Sequence, residues 1–149
     1  MIQVTCNPVF SGESPDLYLQ VVAQPGGAVL LEYQVKRGDL FHIDYTHSSD
    51  HTPVHDVFRI DERGIVLIEE AFDWYGSGLE FLSNEGAKIS LTGDKTRVFL
   101  DRECPRLLLR VGRVAGHVIS YKDKTVPLLT VAEGGDSVWI RLVQGREKE

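Results

Sequence analysis

Four of the chain's five histidines fall between His42 and His55, where His42, His47, His51 and His55 stand among Asp44, Tyr45, Ser48 and Asp56. An imidazole beside a carboxylate is oriented by it and made more basic, which is the arrangement of a general base. The same residue types also ligate metals, and a serine beside an imidazole invites comparison with a nucleophile. The competing account is a buried hydrogen-bond network of purely structural use, since any buried polar group needs a partner.

Which account holds depends on the elements that carry these residues. Leu40 to Ser48 and Pro53 to Ile60 read as two strands joined by a short polar loop. Side chains alternate along a strand, so Phe41, Ile43, Tyr45 and His47 share one face and Val54, Asp56, Phe58 and Ile60 share the corresponding face of the return strand. Both sets are rich in apolar residues and point inward. His42 and His55 then point outward and His51 lies in the loop. The expected cluster is Tyr45, His47 and Asp56 on the inward side near the open end of the hairpin. A general-base hydrolase would use His47 with Asp56.

Other readings of these residues remain beside it. His47, His51 and His55 recur every four residues, which aligns ligands on a helix but scatters them on strand, loop and strand. A metal site of His47, His51 and Asp56 requires the loop to fold back. Ser48 is surrounded by neither a G-x-S-x-G elbow nor an S-x-x-K motif, and a serine beside a turn commonly bonds local amides. Trp74-Tyr75-Gly76-Ser77-Gly78-Leu79 lacks the spacing of a dinucleotide-binding loop. Its glycines Gly76 and Gly78 suit either the wall of a small-molecule pocket or a tight turn anchored by aromatics. His117 reads as a packed histidine that gains interest if the fold brings it beside His47.

The rest of the chain is punctuated at short, regular intervals. Apolar stretches at 2–6, 17–22, 28–35, 65–75, 88–92, 97–100, 106–111, 114–121, 126–131 and 138–143 are separated by Gly-, Pro- and Asp-rich turns. The long 65–75 stretch invites a bulge near Glu69-Glu70, and 79–85 is the one place for a helical turn. The pattern predicts an all-β fold, a single-domain antiparallel sandwich or barrel of about ten short strands over 1–149, with a frayed tail at 144–149.

Composition bounds the function classes. At 149 residues, with 42% hydrophobic and 26% charged residues, one core is expected. A net charge of -6 without a basic patch argues against nucleic acid or an anionic membrane surface as partner. No apolar run approaches the roughly 20 residues of a membrane-spanning helix, and no signal-peptide pattern follows Met1. No cofactor motif emerges. Cys6 and Cys104 permit one disulfide, and two unrelated thiols are the other reading.

Taken together, Tyr45-Thr46-His47-Ser48, Pro53-Val54-His55-Asp56, Gly76-Ser77-Gly78-Leu79 and Val111-Gly112 followed by His117 resemble the pattern of the uncharacterised bacterial and archaeal family called domain of unknown function 1850. Two positions depart from it: Asp56 stands where the family has Glu, and Glu80 where Pro commonly follows the glycine loop. The resemblance implies a functional cluster of Tyr45, His47, Ser48, Asp56, Gly76, Gly78 and His117. It further implies an exported or membrane-anchored protein whose leader is not among these residues, a setting that favours the Cys6 to Cys104 disulfide. It implies association with the membrane component of a tripartite transporter. The expectation is a noncatalytic domain that binds a small solute or assists such a transporter.

Overall fold

Alternation of apolar and polar residues decides where each strand puts its weight. Along Leu17–Gln24 (β1), Leu19 and Val21 are fully buried, and along Leu40–Thr46 (β3) Phe41 and Ile43 are buried while His42 and Asp44 between and beside them are half-buried. The computed structural model describes residues 15–73 and 88–145. The remaining strands are Val29–Val35 (β2), Pro53–Asp61 (β4), Gly64–Asp73 (β5), Lys88–Thr92 (β6), Lys95–Glu103 (β7), Leu107–Arg110 (β8), Val118–Tyr121 (β9), Lys124–Pro127 (β10) and Ser137–Gln144 (β11).

They form two antiparallel sheets, β2-β1-β11-β8 and β10-β9-β3-β4-β5-β7-β6. The sheets pack as an open sandwich and do not close into a barrel. Leu19, Val21 and Ile140 from the smaller sheet and Phe41, Ile43, Phe58, Ile60 and Ile119 from the larger one belong to a single core cluster. Phe41 and Phe58, directly paired across β3 and β4, stack with ring centroids 4.9 Å apart. No helix among the described residues is long and apolar enough to cross a membrane.

The turns follow the glycines. β6 and β7 are joined through Gly93-Asp94, with Thr92 opposite Lys95 and Gly93 at φ 60°, a conformation that suits a residue without Cβ. The bulge anticipated near Glu69-Glu70 is present as register shifts between Val57 and Phe58 on β4 and between Leu67 and Glu69 on β5.

Two strand expectations need correction. The predicted strand 114–121 begins only at Val118, because Gly112 and Gly116 fold the preceding residues into a turn closed by Gly116 N–H donating to the Gly112 carbonyl at 3.0 Å. The predicted strand 126–131 stops at Pro127 and continues as a 3-10 turn, Leu128–Thr130, in which the Thr130 hydroxyl donates to the Pro127 carbonyl at 2.7 Å. The expected strand at 2–6 and helical turn at 79–85 lie outside the described residues. So does the tail beyond Gly145, after a strand β11 that holds its pairing as far as Gln144.

Candidate functional site

The β3–β4 hairpin supplies the site, and its register decides which side chains meet. A six-residue loop closes Thr46 onto Pro53, so that Tyr45 faces Val54, Asp44 faces His55 and Ile43 faces Asp56. His47 therefore stands past the last pair. Its backbone N–H donates to the Thr52 carbonyl at 2.8 Å, and its Nδ1 meets Ser49 Oγ at 2.8 Å and Asp50 Oδ1 at 3.2 Å. The side chain is 53% exposed. The expectation that His47 shares the buried face with Asp56 is thus corrected: polar loop residues capture the imidazole before the pleat can turn it inward. The general-base pair of His47 and Asp56 is not formed.

The expected metal set of His47, His51 and Asp56 does not assemble either. His51 sits in the loop with φ 57°, while Asp56 lies on the inner face of the sheet. Among the described residues no group of three or more His, Cys, Asp or Glu side chains is arranged around a common point for a metal ion. Cys104 is a free thiol that donates to the Arg102 carbonyl at 3.6 Å, and burial raises its pKa. Cys6, Gly76 and Gly78 lie outside the described residues.

What gathers instead is a polar layer at the loop end of the larger sheet's inner face. Asp56, 9% exposed, is directly opposite Glu70 on β5 and diagonal to Tyr45 on the same face of the β3–β4 pair. Thr96 on β7 shares this face, opposite Phe72. His117, just before β9, sets its ring against Tyr45 with centroids 5.2 Å apart. His117 thereby takes the position beside Tyr45 that the hairpin pattern assigned to His47. Asp56 Oδ1, Glu70 Oε2, Thr96 Oγ1 and His117 Nδ1 are buried without a hydrogen-bond partner among the described residues. Such atoms each carry a desolvation cost, and four on one face mark an unusual environment.

The electrostatics follow from that burial. Burial, and then the facing Glu70, push the Asp56 carboxyl up to about 7. Burial raises Glu70 as well, against the pull of Arg102. Tyr45 is raised by burial and by the two carboxylates, and burial lowers His117. Near neutral pH Asp56 therefore keeps part of a proton that an ordinary carboxyl has lost, because burial disfavours its charge and the facing Glu70 repels it.

Above this layer opens a cleft of about 580 Å³ bounded by the β3–β4 loop, the 111–117 turn and the 134–135 turn. It brings together Tyr45, His47, Ser48 and His117, four residues singled out by sequence pattern, and adds Arg110 and Arg113, which that pattern did not single out. Among the described residues, no Asp or Glu lines it. Arg113 lies across Gly134, where an added Cβ would come within 2.4 Å of the arginine Cγ. Neither arginine is engaged in a salt bridge among the described residues. Their signal in the sequence was weak, since isolated arginines next to glycines are common at turns.

The profile of one family, described as a domain of unknown function (DUF1850), matches residues 41–128, more than half of the chain. The chain belongs to that family. Comparison with curated proteins and with solved structures gave no match. The DUF1850 match begins on β3 and ends at the 3-10 turn, so it takes in the larger sheet from Phe41 onward together with β8. It contains Tyr45, His47, Ser48, Asp56, Glu70, Arg113 and His117. The DUF1850 region is therefore the part of the fold that builds both the polar layer and most of the cleft above it.

Proposed function

We propose that this DUF1850 domain is a noncatalytic binding module for a small anionic solute, a carboxylate or phosphate compound held in the cleft between the β3–β4 loop and the 111–117 turn. The observation that carries the reading is the lining: Arg110, Arg113, His47 and His117 border a cleft to which no acidic side chain among the described residues contributes, in a chain whose net charge is -6. Guanidinium groups bind carboxylate and phosphate oxygens through paired N–H donors. Ser48 adds a hydroxyl donor. Tyr45 and His117 form the floor, with Asp56 beside Tyr45 on the inner face beneath it. The buried acids thus act as positioning groups and do not touch the solute.

The setting we propose is extracytoplasmic, alongside the membrane component of a tripartite transporter. Family membership and the context that the family resemblance implies support that placement. The test of the binding function is a thermal-shift series with acetate, succinate, citrate and inorganic phosphate against choline, spermidine and glucose. A rise in melting temperature of several degrees with at least one anion, and none with the cations or the sugar, is expected. Stabilisation by cations alone, or by no anion at all, overturns the reading.

A further inference from the structure

The outer face of the same hairpin carries a second constellation that the cleft does not use. His42 on β3 and His55 on β4 stand diagonal to one another, with His42 Nδ1 3.2 Å from His55 Nε2. Asp44, directly opposite His55, approaches His55 Nδ1 at 2.5 Å. The carboxylate accepts the Nδ1–H of His55, which leaves the lone pair of Nε2 pointing at His42. A carboxylate behind one ring nitrogen, with the other nitrogen free as a donor, is the arrangement that orients histidine ligands of metal ions.

From these contacts we propose that His55 Nε2 and His42 Nδ1 form an open site for a divalent transition-metal ion of borderline softness, copper, zinc or nickel, with Asp44 as the positioning residue. Two nitrogens each about 2.0–2.1 Å from a tetrahedral ion lie about 3.4 Å apart, close to the separation already present. Without the ion, the His42 Nδ1–H donates to His55. On binding, that proton moves to Nε2 of His42 and the ion takes its place, so both rings stay neutral. Burial and the neighbouring His55 hold His42 below the usual histidine range, with Asp44 and Glu69 acting in the other sense. Glu69 is itself drawn toward Arg97, whose Nε is 3.6 Å away.

Both rings are set on adjacent central strands of the larger sheet, which fixes their spacing more firmly than a loop would. No third His, Cys, Asp or Glu completes the set among the described residues, so the remaining positions fall to water or an exogenous donor. A cleft of about 440 Å³ reaches Asp44 and His55 from the loop end of the hairpin, and His42 stands outside it. Imidazole donors suit copper, nickel and zinc, whereas calcium and magnesium prefer oxygen.

The test is titration of the full chain with Cu(II), read by electron paramagnetic resonance for nitrogen hyperfine coupling, and with Zn(II), read by calorimetry. One ion per chain is expected, with binding abolished in His42→Ala and in His55→Ala and weakened about 10- to 100-fold in Asp44→Asn. His51→Ala, in the loop and outside both the pair and the anion cleft, serves as the control and should bind as the parent does. Nitrogen-15 shifts of His42 and His55 during Zn(II) titration of the unsubstituted chain give the answer if a variant fails to fold. No saturable binding, binding that survives loss of both His42 and His55, or loss in the loop control would each overturn the site.

Discussion

Asp56 is a residue whose charge the fold resists. It lies on the face that buries Ile43 and Phe58, and it faces a second carboxyl, Glu70, across the β4–β5 ladder. An ordinary aspartic acid titrates near 3.9, and this one is pushed up to about 7. Between those values the folded chain keeps a proton that the unfolded chain has released, so the proton-linked stability is present below about pH 4 and is lost as pH rises toward 7. Asp56→Asn should therefore stabilise the domain at pH 8, by at most about 4 kcal/mol for a shift of about three units, and should change little at pH 4. Denaturant melts at the two pH values measure this. A variant less stable than the parent at pH 8 would contradict the assignment. A sequence that retains such a cost commonly does so for function, and here the carboxyl lies beside Tyr45, whose ring packs on His117 under the cleft.

At the scale of the element, the hairpin was legible and its register was not. Parity along Phe41, Ile43 and Tyr45, and along Val54, Asp56, Phe58 and Ile60, identified the inner face, and the structure places Tyr45 and Asp56 together on it. Parity cannot say where a strand ends. Ser49, Asp50 and Thr52 bind His47 and one another in the loop, and those contacts take His47 off the pleat. Glu70 was hidden for a related reason, since the irregularity between Leu67 and Glu69 resets the alternation along β5. His117 was visible as a histidine in an apolar stretch, but its approach to Tyr45 depends on β9 pairing with β3, a contact between residues far apart in the chain.

The loop offers its own prediction. His51 holds φ 57°, which costs a residue with Cβ about 1–2 kcal/mol. His51→Gly should relieve part of this and raise stability by about 0.5–1 kcal/mol after the greater entropy loss of glycine, measurable as a higher denaturation midpoint with an unchanged slope. The 134–135 turn gives another. A Cβ at position 134 collides with the Arg113 side chain, a flexible group that moves aside at little cost to the fold. Gly134→Ala should therefore leave the melting temperature near that of the parent yet weaken anion binding about three- to tenfold, the worth of one net hydrogen bond. Calorimetry beside a thermal melt separates the two effects. Unchanged affinity would mean that Arg113 does not contribute from its present position.

For the whole molecule, the alternation of short strands and turn residues was sufficient to predict an all-β domain, and the two-sheet sandwich agrees with it. The choice between sandwich and barrel was beyond such a pattern, because it rests on which edge strands remain unpaired. Here β10 and β6 end the larger sheet, and β2 and β8 end the smaller one. The family match covers the larger sheet, whereas β1, β2 and β11, which supply Leu19, Val21 and Ile140 to the core, fall outside it. Net charge acts at this scale too. A chain at -6 repels anions at long range, so binding must come from the local field of Arg110 and Arg113, and added salt should weaken it by screening those open contacts.

Whether this cleft holds a small anion is decided by isothermal titration of the parent and of Arg113→Ala with succinate and with inorganic phosphate. Saturable one-to-one binding of at least one of them to the parent is expected, weakened about tenfold or more in Arg113→Ala by loss of a charged hydrogen bond of about 1.5–3 kcal/mol. Absence of saturable binding by either anion, or equal affinity in the parent and in Arg113→Ala, would contradict it.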